Sequence, residues 1–64
     1  MTNTKVTHDQ YISFIKQAIA NEGYKIADTA NKLALEIEAI TLDMYCAAAR
    51  IILDAYYAES WKDE

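Results

Sequence analysis

The 64-residue chain has no proline, one glycine, one cysteine and one histidine. Residues that favour tight turns are therefore few, which disfavours β-hairpins and favours long helices. A single glycine excludes the glycine-rich loops that bind phosphate groups. A single cysteine cannot form an internal disulfide, and the Cys and His clusters of structural zinc sites are absent. We predict an all-α protein without a bound cofactor or metal.

Groups that could carry out catalysis are also scarce. His8 is the only histidine, and Ser13 and Ser60, the only serines, lie in opposite halves of the chain. A Ser-His-Asp arrangement would need these distant regions to meet at one point. The Glu-x-x-His spacing of di-iron helical bundles is absent as well. We expect no enzymatic activity.

The chain has no apolar run long enough for a membrane. Residues 44–58 are its most apolar stretch, but they are fewer than the roughly 20 residues that span a bilayer, and they include Arg50 and Asp54. The N-terminal residues do not resemble a secretory signal. Cys46 lies within the apolar stretch, where a buried, reduced thiol is the usual state, and this fits a reducing compartment. The sequence predicts a soluble cytoplasmic protein.

Basic residues are outnumbered by acidic ones. Six Lys and Arg stand against ten Asp and Glu, which gives a net charge of −4. Nucleic-acid binding depends on clustered Lys and Arg, so this balance disfavours a nucleic-acid partner. A helix, a glycine-containing turn and a second helix do match the outline of a DNA-binding helix-turn-helix, with residues 28–36 as the recognition helix. That function stays as a weaker alternative.

The first helix has a clear start and a clear end. Thr7 and Gln10 have the spacing of a capping box, in which each side chain accepts a hydrogen bond from the other residue's backbone amide. Gly23 can adopt the positive φ that ends many helices. Residues 1–6 lack periodicity, and we expect them to be frayed. The sequence predicts a helix from about residue 8 to about residue 22.

A second, longer helix is predicted from about residue 25 to about residue 61, because this part has neither Gly nor Pro and is rich in good helix formers. Apolar residues recur along one face at alternating steps of three and four, as in a heptad repeat. Another apolar stripe, on a different face, comprises Leu35, Leu42, Cys46, Ala49, Leu53 and Tyr56. The long helix therefore has two apolar faces to cover.

The two predicted helices differ greatly in length. At 1.5 Å per residue the first is about 22 Å long and the second about 55 Å, so the first covers only about residues 26–40 of the second. The uncovered half predicts that such helical hairpins self-associate, in the simplest case as an antiparallel homodimer with four helices. The predicted oligomer interface comprises Ile37, Ile40, Met44, Ala47, Ala48, Ile51, Asp54 and Ala58.

An alternative architecture avoids the oligomer. The long helix would break near residues 40–43, Thr41 would cap a new helix, and the chain would fold as a monomeric three-helix bundle. Thr41 is followed three residues later by Met44 rather than Glu or Gln, so a full capping box is missing. The continuous helix is therefore the favoured prediction.

Binding of other protein chains is the function predicted from this architecture. The protein would bind itself and another protein, as an inhibitor, adaptor or regulator. Tyr, Trp and Arg are enriched at interfaces, and the candidate partner or ligand surface comprises Tyr45, Arg50, Tyr56, Tyr57 and Trp61. Within the dimer, Arg50 of each subunit could pair with Asp54 of the other and set the register. The alternative is an oligomer that sequesters a small molecule or nucleotide in a groove between subunits.

Overall fold

The computed structural model describes residues 6–62, with their side chains up to Ser60. These residues form three α-helices, α1 (His8–Glu22), α2 (Tyr24–Glu36) and α3 (Leu42–Lys62). Each helix packs against the other two. The prediction of an all-α fold is confirmed. Of the residues 1–6 that are predicted to be frayed, residues 1–5 lie outside the part that the structure describes.

The start of α1 follows its predicted capping box. The backbone amide of Gln10 donates to the hydroxyl of Thr7, and the amide of Thr7 donates to the side-chain oxygen of Gln10, each over 3.2 Å. These two bonds satisfy amides that the first turn of a helix leaves without a partner. The predicted bounds of this helix, residues 8 and 22, are confirmed.

Gly23 both ends α1 and precedes α2. Its φ of 108° lies in a region that residues with a Cβ rarely adopt. In this conformation its amide reaches the carbonyl oxygens of Ile19 at 3.0 Å and Ala18 at 3.2 Å, which closes the last turn of α1. The chain reverses within this one residue, and α2 begins at Tyr24, earlier than the predicted Lys25.

The predicted continuous helix from residue 25 to residue 61 is wrong, because α2 ends at Glu36 and α3 begins at Leu42. The end of α2 is a Schellman motif. The amide of Ala39 donates to the carbonyl of Ala34 at 2.8 Å, and the amide of Glu38 donates to that of Leu35 at 3.0 Å. Glu38 occupies the left-handed position of this motif with a φ of 58°, where glycine is the usual residue.

Thr41 starts α3, as the alternative architecture anticipated. Its hydroxyl accepts a hydrogen bond from the amide of Met44 at 3.2 Å, and its carbonyl accepts one from the amide of Tyr45 at 3.0 Å. A Thr hydroxyl at the N-cap is sufficient for a helix start, so the missing Glu or Gln at position 44 does not prevent one. The chain therefore folds back at residues 37–41 and covers α1 and α2 with α3.

The core draws on all three helices and on the loop before α3. Its buried apolar residues are Tyr11, Ile15, Ala27, Ile40, Met44, Ala48 and Ile52. Two alanines, Ala27 on α2 and Ala48 on α3, are completely buried. Methyl side chains leave little material between neighbouring helices, so these positions allow close approach of the backbones.

One polar side chain joins the three helices inside this core. Asn31 on α2 is 0% exposed. Its side-chain oxygen accepts a hydrogen bond from the hydroxyl of Tyr11 on α1, and its amide donates to the backbone carbonyl of Tyr45 on α3 at 3.5 Å. Burial of Tyr11 raises the pKa of its hydroxyl, and the neighbouring Tyr45 raises it further. A buried amide bonded on two sides favours one relative placement of the helices.

Candidate interaction surface

A stripe of apolar residues on α3 faces away from the core. Leu42, Cys46, Ala49, Leu53 and Tyr56 follow one another at steps of four, three, four and three, which places them along one side of the helix. Leu42 is 67% exposed and Leu53 52% exposed, and Cys46 and Tyr56 are also exposed. Ala49 is half-buried. We call these five residues the α3 stripe.

A second stripe lies on α2. Ile26, Ala30, Leu33 and Ile37 are spaced by four, three and four residues. Leu33 is 55% exposed and Ile37 67% exposed, and Ile26 is exposed to a similar degree. We call these four residues the α2 stripe. The three described helices thus bury one apolar face each in the shared core and leave a further apolar face of α2 and of α3 in contact with solvent.

Charged residues border the α3 stripe on one side. Asp43 and Arg50 each directly follow a stripe residue, are seven positions apart, and therefore project from the same side of α3. Both are exposed, as is Asp54. Arg50 forms no ion pair with Asp54 within the described part of the chain, unlike Lys32 and Asp28 on α2, whose charged atoms are 3.2 Å apart. The charges beside the α3 stripe remain accessible to another molecule.

Aromatic side chains gather where the C-terminal half of α3 meets the start of α2. The ring centroids of Tyr24 and Tyr56 are 5.2 Å apart at an angle of 74°, and those of Tyr56 and Tyr57 are 5.5 Å apart. A cleft of about 170 Å³ lies beside them, lined by Tyr24, Tyr56, Glu59 and Ser60. This volume is below the roughly 300–1,000 Å³ of most small-molecule sites.

The structure separates the eight residues of the predicted oligomer interface into three groups. Ile40, Met44 and Ala48 are buried in the chain's own core, so their placement between subunits is corrected. They are buried because the turn at residues 37–41 brings α3 back against α1 and α2. Ala47 and Ile51 are half-buried, and Ile51 packs against the core. The residues of this set that remain exposed are Ile37, Asp54 and Ala58.

The candidate partner surface is divided as well. Arg50, Tyr56 and Tyr57 are exposed, whereas Tyr45 is half-buried against the core. Trp61 belongs to α3, but its side chain lies outside the described part of the chain. Cys46, expected to be buried, is instead exposed. The sequence did contain the signal for this outward face, because Leu42, Cys46, Ala49, Leu53 and Tyr56 already form its second apolar stripe.

Two further properties concern membranes and metals. None of the three described helices is both long and apolar enough to cross a bilayer. Among residues 6–62, the structure brings together no group of three or more His, Cys, Asp or Glu side chains that could hold a metal ion.

Comparisons with protein-family models, with curated proteins and with solved structures find no match.

Proposed function

We propose that this protein is a small, non-enzymatic interaction module that binds a second copy of itself and another protein. The observation that carries the proposal is the presence of two heptad-spaced apolar stripes that a folded chain with a complete core leaves exposed. Leu33, Ile37, Leu42 and Leu53 are each more than half exposed. Scattered exposed apolar residues are ordinary, but rows of them at helical spacing are typical of surfaces that pack against another helix.

The proposed role is that of an inhibitor, adaptor or regulator in the cytoplasm. Two separate stripes support a module with two contacts, because one can serve self-association while the other meets a different protein. The cytoplasm is proposed on cysteine content alone, because Cys46 is the one cysteine and has no partner for an internal disulfide. Such a module acts through its surface and needs no bound cofactor.

The two alternatives have less support from the geometry. An oligomer that sequesters a small molecule or nucleotide would hold it in a groove between subunits, and the tyrosine cleft within one chain, at about 170 Å³, is small for such a ligand. A DNA-binding helix-turn-helix would use residues 28–36, but Lys32, the only basic residue in that range, is paired with Asp28 at 3.2 Å. Within one chain, neither the tyrosine cleft nor residues 28–36 offers the set of contacts that these functions require.

Affinity capture with matched variants tests the proposal. Wild-type chain, a Leu33→Asp variant and a Leu53→Asp variant are immobilised in parallel, and bound proteins are identified by mass spectrometry. We expect a protein that the wild type retains and one of the variants loses. A thermal-unfolding screen of metabolites and nucleotides tests the small-molecule alternative, since a ligand that binds the folded state raises Tm. A clear ligand-dependent rise, with no capture that depends on the stripes, would contradict the proposal.

A further inference from the structure

We draw no further inference here: the strongest candidate, the α3 stripe along the outer face of the third helix, is an exposed apolar helix face, and nothing in the structure shows what covers it.

Discussion

Replacing Glu38 with glycine is expected to stabilise this protein, because Glu38 holds a φ of 58° at the end of α2. This left-handed conformation brings the Cβ of an L-residue close to the following carbonyl oxygen, whereas glycine has no Cβ. The amides of Glu38 and Ala39 donate to the carbonyls of Leu35 and Ala34. Both bonds use the backbone only, so the substitution retains them.

The expected change in the free energy of unfolding is the difference between two opposing effects. Relief of the left-handed strain contributes about 1–2 kcal/mol in favour of the folded state. The greater freedom of glycine in the unfolded chain costs about 0.5–1 kcal/mol. The free energy of unfolding should therefore rise by about 0.7 kcal/mol, the centre of a range of about 0–1.5 kcal/mol, which raises Tm by roughly 3–6 °C in a domain of this size.

Urea and thermal unfolding followed by far-UV circular dichroism measure this change, at a concentration where the chain is monomeric. Glu36→Gly is the matched control, since Glu36 is the same residue type, is exposed and belongs to α2. It should destabilise the chain by about 0.5 kcal/mol, as glycine does within helices. A loss of stability in Glu38→Gly equal to that in Glu36→Gly would show that residue 38 is helical and would refute the Schellman motif.

Three further substitutions and one titration follow from the structure. Thr41→Ala removes the cap of α3 and should lower the unfolding free energy by about 1 kcal/mol in urea titrations. Asn31→Ala leaves the buried hydroxyl of Tyr11 without its acceptor and should cost about 2–4 kcal/mol, whereas an effect below about 0.5 kcal/mol would argue against the polar link. Because burial raises the pKa of Tyr11 above its ordinary value of 10.0, its contribution to stability is fully present below pH about 10 and is lost as the pH rises through the raised value. Tyr11→Phe should show a smaller loss over that interval; an identical loss would contradict the assignment.

The parts of the fold that the sequence predicts well are those with side-chain or glycine signals. Thr7 and Gln10 mark the start of α1 through a reciprocal pair of hydrogen bonds, and Gly23 marks its end through a positive φ. Both signals are specific, because a reciprocal capping pair and an isolated glycine typically mark the ends of helices. Helix α1 could therefore be placed with its observed bounds.

The break after α2 could not be predicted with the same rules. Its left-handed residue is Glu38 rather than glycine, and the cap of α3 consists of Thr41 alone, without Glu or Gln at position 44. Each signal is weak in isolation, and the surrounding residues are good helix formers. The packing of α3 against α1 and α2 compensates for the conformational cost of the left-handed residue Glu38. This stabilisation comes from tertiary contacts, so helix propensities of the local sequence cannot predict it.

The location of the break also decides which face of α3 is buried. The buried face does not have the predicted heptad spacing, because Met44, Ala48 and Ile52 recur at steps of four, while Ala47 and Ile51 are half-buried. Periodicity alone could not select this face. Once the chain reverses at residues 37–41, Met44, Ala48 and Ile52 face the core, and Leu42 and Leu53 face outward. Asn31, the one described polar side chain that is fully buried, has no sequence signal, because its role depends on Tyr11 and on the backbone of α3.

A distance measurement within one chain tests the fold-back of α3 most directly. Spin labels on Lys25→Cys and Glu59→Cys, in a Cys46→Ala background, report the separation of two residues that line one cleft in the structure. The doubly labelled chain is diluted into an excess of unlabelled chain, so that pairs between copies do not contribute. We predict a short distance, with the two labels near each other at one end of the helix bundle. A separation near 50 Å, the length of a continuous helix between these residues, would contradict it.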